Sequence, residues 1–231
     1  KIITGMRRCG KSFLLDPIFK EYLISEGVSE NHIIKIDLDE RRNNKYQDPD
    51  VLDEYIRSLI VDEETYYLLL DEVQKVDDFE SVLNGFLHIH NLDIYVTGSN
   101  SKFLSSDIIT EFRGRGDEIR VFPLSFSEYY SVFKGEKEEA WDEYITYGGL
   151  PKIVSINGEN EKAKYLKQLF EKTYLSDIVE RNNIQRIDII DSILNILSSS
   201  IGSLTNPYKL LKTFQSNGVK DLSINTRSEE R

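Results

Sequence analysis

The sequence predicts an α/β fold built on a parallel sheet, and three observations support this prediction. Short apolar runs of strand length alternate with segments whose apolar residues recur at helical spacing. One run, Tyr66–Leu70, is apolar almost without interruption, as expected of a central parallel strand that is covered on both faces. A glycine-containing loop also joins the first strand to the first helical segment.

Five strands and several helices are predicted in chain order. The strands are Lys1–Thr4, Ile33–Leu38, Tyr66–Leu70, Ile94–Thr97 and Arg120–Phe122. The first helical pattern covers residues 13–23 and stops at Gly27. Further helices are predicted to start at Asp48–Pro49, at Asp78 and at the capping box Ser125–Glu128. A last helical pattern ends at Gly148–Pro151. Residues 39–44 and 134–139 are predicted to be a polar loop and a charged turn.

The loop after the first strand carries a phosphate-binding motif. Residues 5–12 match the P-loop pattern G-x-x-x-x-G-K-[ST] without a mismatch. Backbone N–H groups and the helix dipole would face an anion, Lys11 would reach the β- and γ-phosphates, and Ser12 would ligate Mg²⁺. The candidate nucleotide-binding residues are Gly5, Met6, Arg7, Arg8, Cys9, Gly10, Lys11, Ser12 and Phe13.

Two acids follow the most apolar strand. Because ligands of open α/β sheets lie at the carboxyl ends of strands, Asp71 and Glu72 are expected beside the phosphates. Asp71 would hold Mg²⁺, directly or through water, and Glu72 would orient and deprotonate the attacking water. The alternative for the aspartate is a helix N-cap after a strand.

Two later segments add candidate catalytic residues. Thr97, Ser99 and Asn100 follow the fourth strand, and Asn100 has the best reach toward a γ-phosphate or the lytic water; the alternative is an ordinary turn. Arg113 and Arg115 lie in a basic loop, where an arginine can neutralise charge on a transferred phosphoryl group. We favour Arg115, and the alternative is a solvated surface charge.

Composition restricts the other possibilities. The net charge is −11, and residues 1–151 carry 30 acidic and 17 basic side chains, whereas residues 152–231 carry 10 and 12. The first part should therefore repel nucleic acid, but the second need not.

Cys9 is the single cysteine, which excludes an internal disulfide and fits a cytoplasmic protein. A small residue filling the loop is favoured over a redox role. No apolar run has transmembrane length, so we expect no membrane partner. The absence of an initial Met suggests a fragment of a longer protein.

Several motifs together resemble a known family. They are Thr4–Ser12, Leu69–Gln74, Thr97–Asn100, Gly114–Arg115, Phe122–Phe126, Tyr147–Pro151 and Asp177–Arg181. In this combination the chain is similar to prokaryotic predicted AAA+-type ATPases with an uncharacterised C-terminal domain. The resemblance extends from Lys1 to about Asn225, and the Pro-Leu-Ser-Phe and Gly-Gly-Leu-Pro motifs are its most specific part.

The resemblance implies an architecture and an activity. It implies a five-stranded sheet of order 5-1-4-3-2 in residues 1–133, a helical lid in 134–200 and the truncated start of a winged-helix-like domain in 201–231. Arg181 would be a lid arginine that faces nucleotide or pairs with Asp177. The first hypothesis is Mg²⁺-dependent ATP hydrolysis that drives a conformational change, with a homo-oligomer completing the site if an arginine acts across subunits. The alternatives are a nucleotide-dependent switch with a DNA or protein partner, and a DNA-binding regulator with slow hydrolysis.

Overall fold

The computed structural model describes residues 1–98, 117–171, 179, 187–199, 201–204, 206, 208–209 and 212–213. The chain divides into two compact units, Lys1–Lys167 and Gln168–Arg231. The first unit contains the sheet and the helices around it.

A five-stranded parallel sheet forms the centre of the first unit. Its strands are β1 (Ile2–Thr4), β2 (Ile33–Asp37), β3 (Tyr66–Asp71), β4 (Leu92–Thr97) and β5 (Glu118–Arg120). They lie in the order 2-3-4-1-5, so that β1 sits between β4 and β5. This confirms the predicted fold class and the order 5-1-4-3-2, which is the same order from the opposite edge.

The fifth strand lies two residues earlier than predicted. Strand β5 comprises Glu118–Arg120, and all its residues are exposed. An exposed edge strand has no run of apolar residues by which it can be recognised. The prediction was therefore based on the apolar pair Val121–Phe122, which follows the strand. The pairing does continue for one residue, because the N–H of Val121 donates to the carbonyl oxygen of Thr4 at 2.8 Å.

Helices surround this sheet. They are α1 (Lys11–Phe13), α2 (Lys20–Ser25), α3 (Pro49–Leu59), α4 (Phe79–Phe86), α5 (Phe126–Val132), α6 (Lys137–Tyr147), α7 (Pro151–Val154) and α8 (Glu159–Leu169). Helix α3 begins as predicted, with the Asp48 carboxylate accepting from two backbone N–H groups and Pro49 in the first turn. The predicted capping box of Ser125 and Glu128 is also present.

Two segments predicted as irregular contain helical turns. Residues Arg41–Gln47 form a 3-10 helix that begins inside the predicted polar loop. Helix α6 begins at Lys137, within the predicted charged turn. Acidic side chains in a first turn favour a helix N-terminus, and Glu138 and Glu139 occupy that turn.

The helical segment after the P-loop is interrupted. Helix α1 leads into a π-helical segment, Leu14–Phe19, in which Asp16 has the extended angles φ −147° and ψ 120°. A residue before proline is disfavoured in the α region, and Pro17 follows. The apolar spacing predicted one continuous helix, and the proline overrides it.

The sheet is covered by apolar side chains on both faces. Alternate residues of β3 belong to different clusters: Leu68 and Leu70 pack with the larger one, and Leu69 packs with the smaller one. The larger cluster includes Leu52 and Ile56 of α3, and the smaller includes Leu15 beside the P-loop. Two-sided burial fixes the position of β3, and with it the acids at its end.

The second unit is helical in its described part. It begins at Gln168, near the end of α8, and contains α9 (Ile187–Ser199). The sequence also predicts a short helix from Pro207 to Ser216, and most of these residues lie outside those that the structure describes. Across the described part of the chain, no helix combines the length and the apolar character needed to span a membrane.

Candidate functional site

Gly5, at the start of the P-loop, packs closely against Val121, the residue that follows β5. Gly5 is buried and has φ +146°. A Cβ atom at this position would lie 2.3 Å from the carbonyl oxygen of Val121 and 2.9 Å from the sulfur of Cys9. Only glycine fits this backbone and this space.

The rest of the loop is held by its own backbone turns and by Cys9. Gly10 has φ 106° and ψ 9° and precedes α1, and Arg8 is also left-handed, with φ 67°. The Cys9 side chain is 3% exposed, and its thiol lies 3.5 Å from the Val121 carbonyl oxygen, to which it donates. This packing supports the interpretation of Cys9 as a small residue that fills the loop.

Lys11 folds back onto the loop. Its side chain is 4% exposed, and its Nζ donates to the carbonyl oxygens of Gly5 and Met6, both at 3.0 Å. A lysine ammonium carries three donors and no acceptor. Phosphate oxygens can replace these carbonyls as acceptors, so the lysine can exchange a contact with the loop for a contact with a ligand.

Ser12 and Asp71, the two residues predicted to hold Mg²⁺, meet in the structure. Asp71 is the last residue of β3 and is 6% exposed. Burial raises the pKa of its carboxyl group above the ordinary value, and hydrogen bonds from Thr97 and Ser12 oppose that rise. The serine at the start of α1 and the aspartate at the end of β3 therefore form one oxygen-rich corner beside the P-loop.

This corner fits a magnesium ion that arrives with a nucleotide. Mg²⁺ takes oxygen ligands, commonly one or two carboxylates together with phosphate oxygens of the substrate. Within the described residues, no group of three or more His, Cys, Asp or Glu side chains is arranged to hold a metal ion. One hydroxyl and one carboxylate are therefore suited to a site in which the protein and the phosphate oxygens of the substrate hold the ion together.

Thr97 ties the two acids to the neighbouring strand. Its side chain is completely buried; its hydroxyl donates to Oδ1 of Asp71 and accepts from the backbone N–H of Glu72 at 3.0 Å. The sequence suggested Thr97 as one candidate for contact with a γ-phosphate or the lytic water. In the structure its hydroxyl forms hydrogen bonds with both acids.

Glu72 lies just past the end of β3. It has φ 56° and ψ 48°, the left-handed conformation, and the 3-10 segment Val73–Lys75 follows. Its carboxylate accepts a hydrogen bond from the side-chain amide of Gln74. The strand pattern contained no sign of this turn or of the amide contact, although Gln74 was part of the motif that carried the family resemblance.

The remaining predicted catalytic residues are not among those described. Ser99, Asn100, Arg113 and Arg115 all lie in residues 99–116, outside the described ranges. The site that the structure does bring together consists of the P-loop with Lys11, the Ser12–Asp71 corner, and Glu72.

Two sequence motifs without a predicted site role frame the P-loop. A Cβ atom on Gly10 would lie 3.8 Å from the ring of Pro151, at the start of α7. The N–H of Leu124 donates to the Gly149 carbonyl oxygen at 2.7 Å, and a Cβ atom on Gly149 would lie 2.1 Å from the Leu124 carbonyl oxygen. The Gly-Gly-Leu-Pro and Pro-Leu-Ser-Phe motifs therefore contact each other, and Pro151 of the former lies close to Gly10 of the loop.

A glycine loop between β1 and α1, with acids at the end of β3, is the arrangement of a P-loop nucleotide-binding domain. A family model described as an AAA domain matches residues 1–130, and one described as a domain of unknown function matches residues 138–225. The chain belongs to the AAA-domain family. This membership supports a nucleotide-binding, ATPase-like function.

Curated relatives extend over nearly all of the chain. An uncharacterized protein of Haemophilus influenzae is 31% identical in an alignment 225 residues long, which covers 95% of this chain and 56% of the relative. An uncharacterized protein of Methanocaldococcus jannaschii is 32% identical in an alignment 233 residues long, which covers 93% of this chain and 50% of the relative. The chain thus spans about half the length of these relatives.

Among solved structures, the chain is similar to Caenorhabditis elegans PCH-2 and to the Aeropyrum pernix ORC1 protein in complex with DNA. The PCH-2 match has a TM-score of 0.42 and 15% identity, and covers 94% of this chain and 60% of that chain. The ORC1 match has a TM-score of 0.39 and 12% identity, and covers 96% of this chain and 73% of that chain.

Proposed function

We propose that this chain binds Mg²⁺ and ATP and hydrolyses the β–γ phosphoanhydride bond. The observation that carries the proposal is the placement of the Asp71 carboxyl group beside the P-loop, where the Ser12 hydroxyl is near enough to lower its pKa, with Glu72 next in sequence. Adenine is favoured by membership of the AAA-domain family. The sequence contains no Asn-Lys-x-Asp motif of the kind that reads guanine.

The residues of the loop would bind and orient the triphosphate. Backbone N–H groups at the start of α1 would face the phosphates, and Lys11 would leave the carbonyls of Gly5 and Met6 for the β- and γ-oxygens. Ser12 and Asp71 would hold Mg²⁺, which when bound offsets negative charge on the phosphate oxygens.

Glu72 would act on the attacking water. Its carboxylate would take one proton from the water as the oxygen attacks the γ-phosphorus, and the bond from that phosphorus to the bridging oxygen would break. The products are ADP and inorganic phosphate. Asn100 and Arg115 remain proposed as contacts of the γ-phosphate and of the developing charge.

The wider role is also a proposal. Residues 1–133 would form the ATPase core, residues 134–200 a helical lid, and residues 201–231 the start of a winged-helix-like domain that moves with the nucleotide state. We propose a cytoplasmic location, a homo-oligomer if Arg115 acts across subunits, and a DNA or protein partner for the C-terminal part.

Phosphate release from ATP by the purified protein over a concentration series tests the proposal. We expect Mg²⁺-dependent release that falls about 10²-fold or more in Glu72→Gln, while ATP binding is retained. Glu54→Gln changes an exposed acid on α3 and should leave the rate unchanged. Binding without release in the unchanged protein would replace the ATPase with a nucleotide-dependent switch.

The concentration series also separates two arrangements of the site. Specific activity that rises with protein concentration would support an arginine supplied by a neighbouring subunit. Constant specific activity would place the whole site within one chain.

A further inference from the structure

Gln74 donates a hydrogen bond from its side-chain amide to Oε2 of Glu72. We propose that Gln74 is a positioning residue that fixes the Glu72 carboxylate for its work on the attacking water. This inference rests on the proposed function, because it assumes that Glu72 acts as the general base.

The turn that carries Gln74 is built onto Glu72. The N–H of Lys75 donates to the carbonyl oxygen of Glu72 at 3.0 Å, and the N–H of Val76 donates to the carbonyl oxygen of Val73 at 3.0 Å. Val73 and Val76 are 1% and 3% exposed, so both ends of the turn are anchored in the core. The amide is therefore presented from a fixed backbone.

Glu72 is held at two points. Thr97 accepts the backbone N–H at 3.0 Å, and Gln74 donates to the carboxylate. A glutamate side chain turns about three bonds, and a hydrogen bond to one carboxylate oxygen sets the direction of both oxygens. Because an ionised carboxylate only accepts, the amide must present its nitrogen and not its oxygen. Positioning of this kind contributes to rate through orientation.

The other end of the same amide provides an independent observation. Oε1 of Gln74 is buried and has no hydrogen-bond partner among the described residues. A buried polar atom without a partner destabilises the folded state, so stability alone would favour an apolar side chain of similar length here. The hydrogen bond that its side-chain N–H group donates to Glu72 explains why a glutamine occupies this position.

Steady-state ATP hydrolysis and equilibrium ATP binding by Gln74→Met test the proposal. Methionine keeps the length of the side chain and removes the donor. We expect kcat to fall about ten-fold, with the Kd for ATP unchanged within two-fold, because the carboxylate loses its orientation and the phosphate site stays intact. Gln74→Glu, which keeps the shape but places a second carboxylate beside Glu72, should lower kcat further, and Gln74→Asn should restore part of the rate.

Lys75→Met is the matched control, since Lys75 is on the same turn and pairs with Asp39 on the protein surface. It should leave kcat unchanged. If Gln74→Met retains or exceeds the kcat of the unchanged protein, or changes kcat and Kd together, the positioning role is overturned. Glu72→Gln separates the two proposals: a rate insensitive to this change overturns the proposed function and this inference with it. A rate that depends on Glu72 but not on Gln74 overturns the inference alone.

Discussion

Nζ of Lys11 lies 3.0 Å from the carbonyl oxygen of Gly5, the residue that opens the P-loop. The lysine that would bind phosphate therefore spans the loop that would cradle it. Buried ammonium groups need acceptors, and the carbonyl oxygens of Gly5 and Met6 supply two. Nucleotide binding would exchange these acceptors for phosphate oxygens.

Replacing Lys11 with alanine should abolish stabilisation by nucleotide. A ligand at 100 times its Kd stabilises a folded protein by about 2.7 kcal/mol, and this gain should be absent from Lys11→Ala because the charge that contacts the phosphates is lost. Thermal unfolding with and without Mg·ATP measures the difference.

Lys20→Ala is the control for that measurement. Lys20 begins α2 and pairs with Glu30 at 2.8 Å, away from the loop. It should keep the full ATP-dependent shift. An equally large shift in Lys11→Ala would remove Lys11 from the phosphate site.

Alanine at Gly5 should destabilise the fold even without nucleotide. The new Cβ would meet the Val121 carbonyl oxygen at 2.3 Å on a backbone with φ +146°. A residue forced into such a conformation costs about 1–3 kcal/mol before the clash is counted, so we expect a loss of about 3 kcal/mol or more in urea unfolding.

Gly85→Ala provides a matched comparison. Gly85 lies inside α4, and a Cβ atom there would meet nothing within 4 Å. Because alanine is favoured over glycine in a helix by about 1 kcal/mol, this variant should be more stable than the unchanged protein. Similar effects of the two substitutions would show that the space around Gly5 is not limiting.

Much of this fold could be predicted because its signals are local. The P-loop motif, the Asp48–Pro49 helix start and the Ser125–Glu128 capping box each depend on residues a few positions apart. The apolar run of β3 also predicted the position of Asp71. The run ends at this residue, and ligands of open α/β sheets bind at the carboxyl ends of the strands.

The features that sequence reasoning missed depend on tertiary contacts or on backbone angles. The exposed strand β5 is defined by its pairing with β1, and the left-handed turn at Glu72 interrupts no residue pattern. Pro151 lies close to Gly10 although the two positions are 141 residues apart, which no local spacing reveals. The break at Asp16–Pro17 is different, because its signal was local and apolar periodicity outweighed it.

Asparagine at position 71 should make the protein more stable at neutral pH while weakening its response to Mg·ATP. Burial raises the pKa of Asp71, so the folded state binds its proton more tightly than the unfolded state does. Stability is therefore lost as the pH rises from about 3.9, the ordinary aspartate value, through the raised value. Removing the charge should therefore raise Tm at pH 7, and each kcal/mol gained would raise it by roughly 2–4 °C in a domain of this size.

The pH dependence is the decisive part of that experiment. The advantage of Asp71→Asn should shrink as the pH is lowered toward the ordinary aspartate value, because the raised pKa of Asp71 favours uptake of its proton in the folded protein. Asp77→Asn removes an exposed acid nearby and should change Tm little at either pH. A variant that is less stable than the unchanged protein at pH 7 would show that the Ser12 and Thr97 hydrogen bonds outweigh the cost of burial.

Methionine at Lys162 should destabilise the first unit. The Lys162 ammonium pairs with the Glu143 carboxylate, and its side chain is 7% exposed, whereas that of Glu143 is 34% exposed. The Tyr129 hydroxyl donates to the same Glu143 oxygen at 3.0 Å, so one carboxylate connects α5, α6 and α8. Breaking a buried pair by removing one partner costs about 3–5 kcal/mol, and water around Glu143 places this case at the lower end.

A surface pair within one helix shows how much of that loss comes from burial. Arg57 and Asp53 of α3 are four residues apart with 2.8 Å between their charged atoms, and their side chains are 50% and 39% exposed. Arg57→Ala should cost about 0.5 kcal/mol when the stabilities of both variants are measured by urea unfolding.

The double variant Lys162→Met/Glu143→Gln should recover part of the stability lost in Lys162→Met, because it removes the carboxylate that was left without its cation. No recovery would mean that the lysine stabilises this region through its packed methylene groups and its contact with Tyr147, and not through its charge.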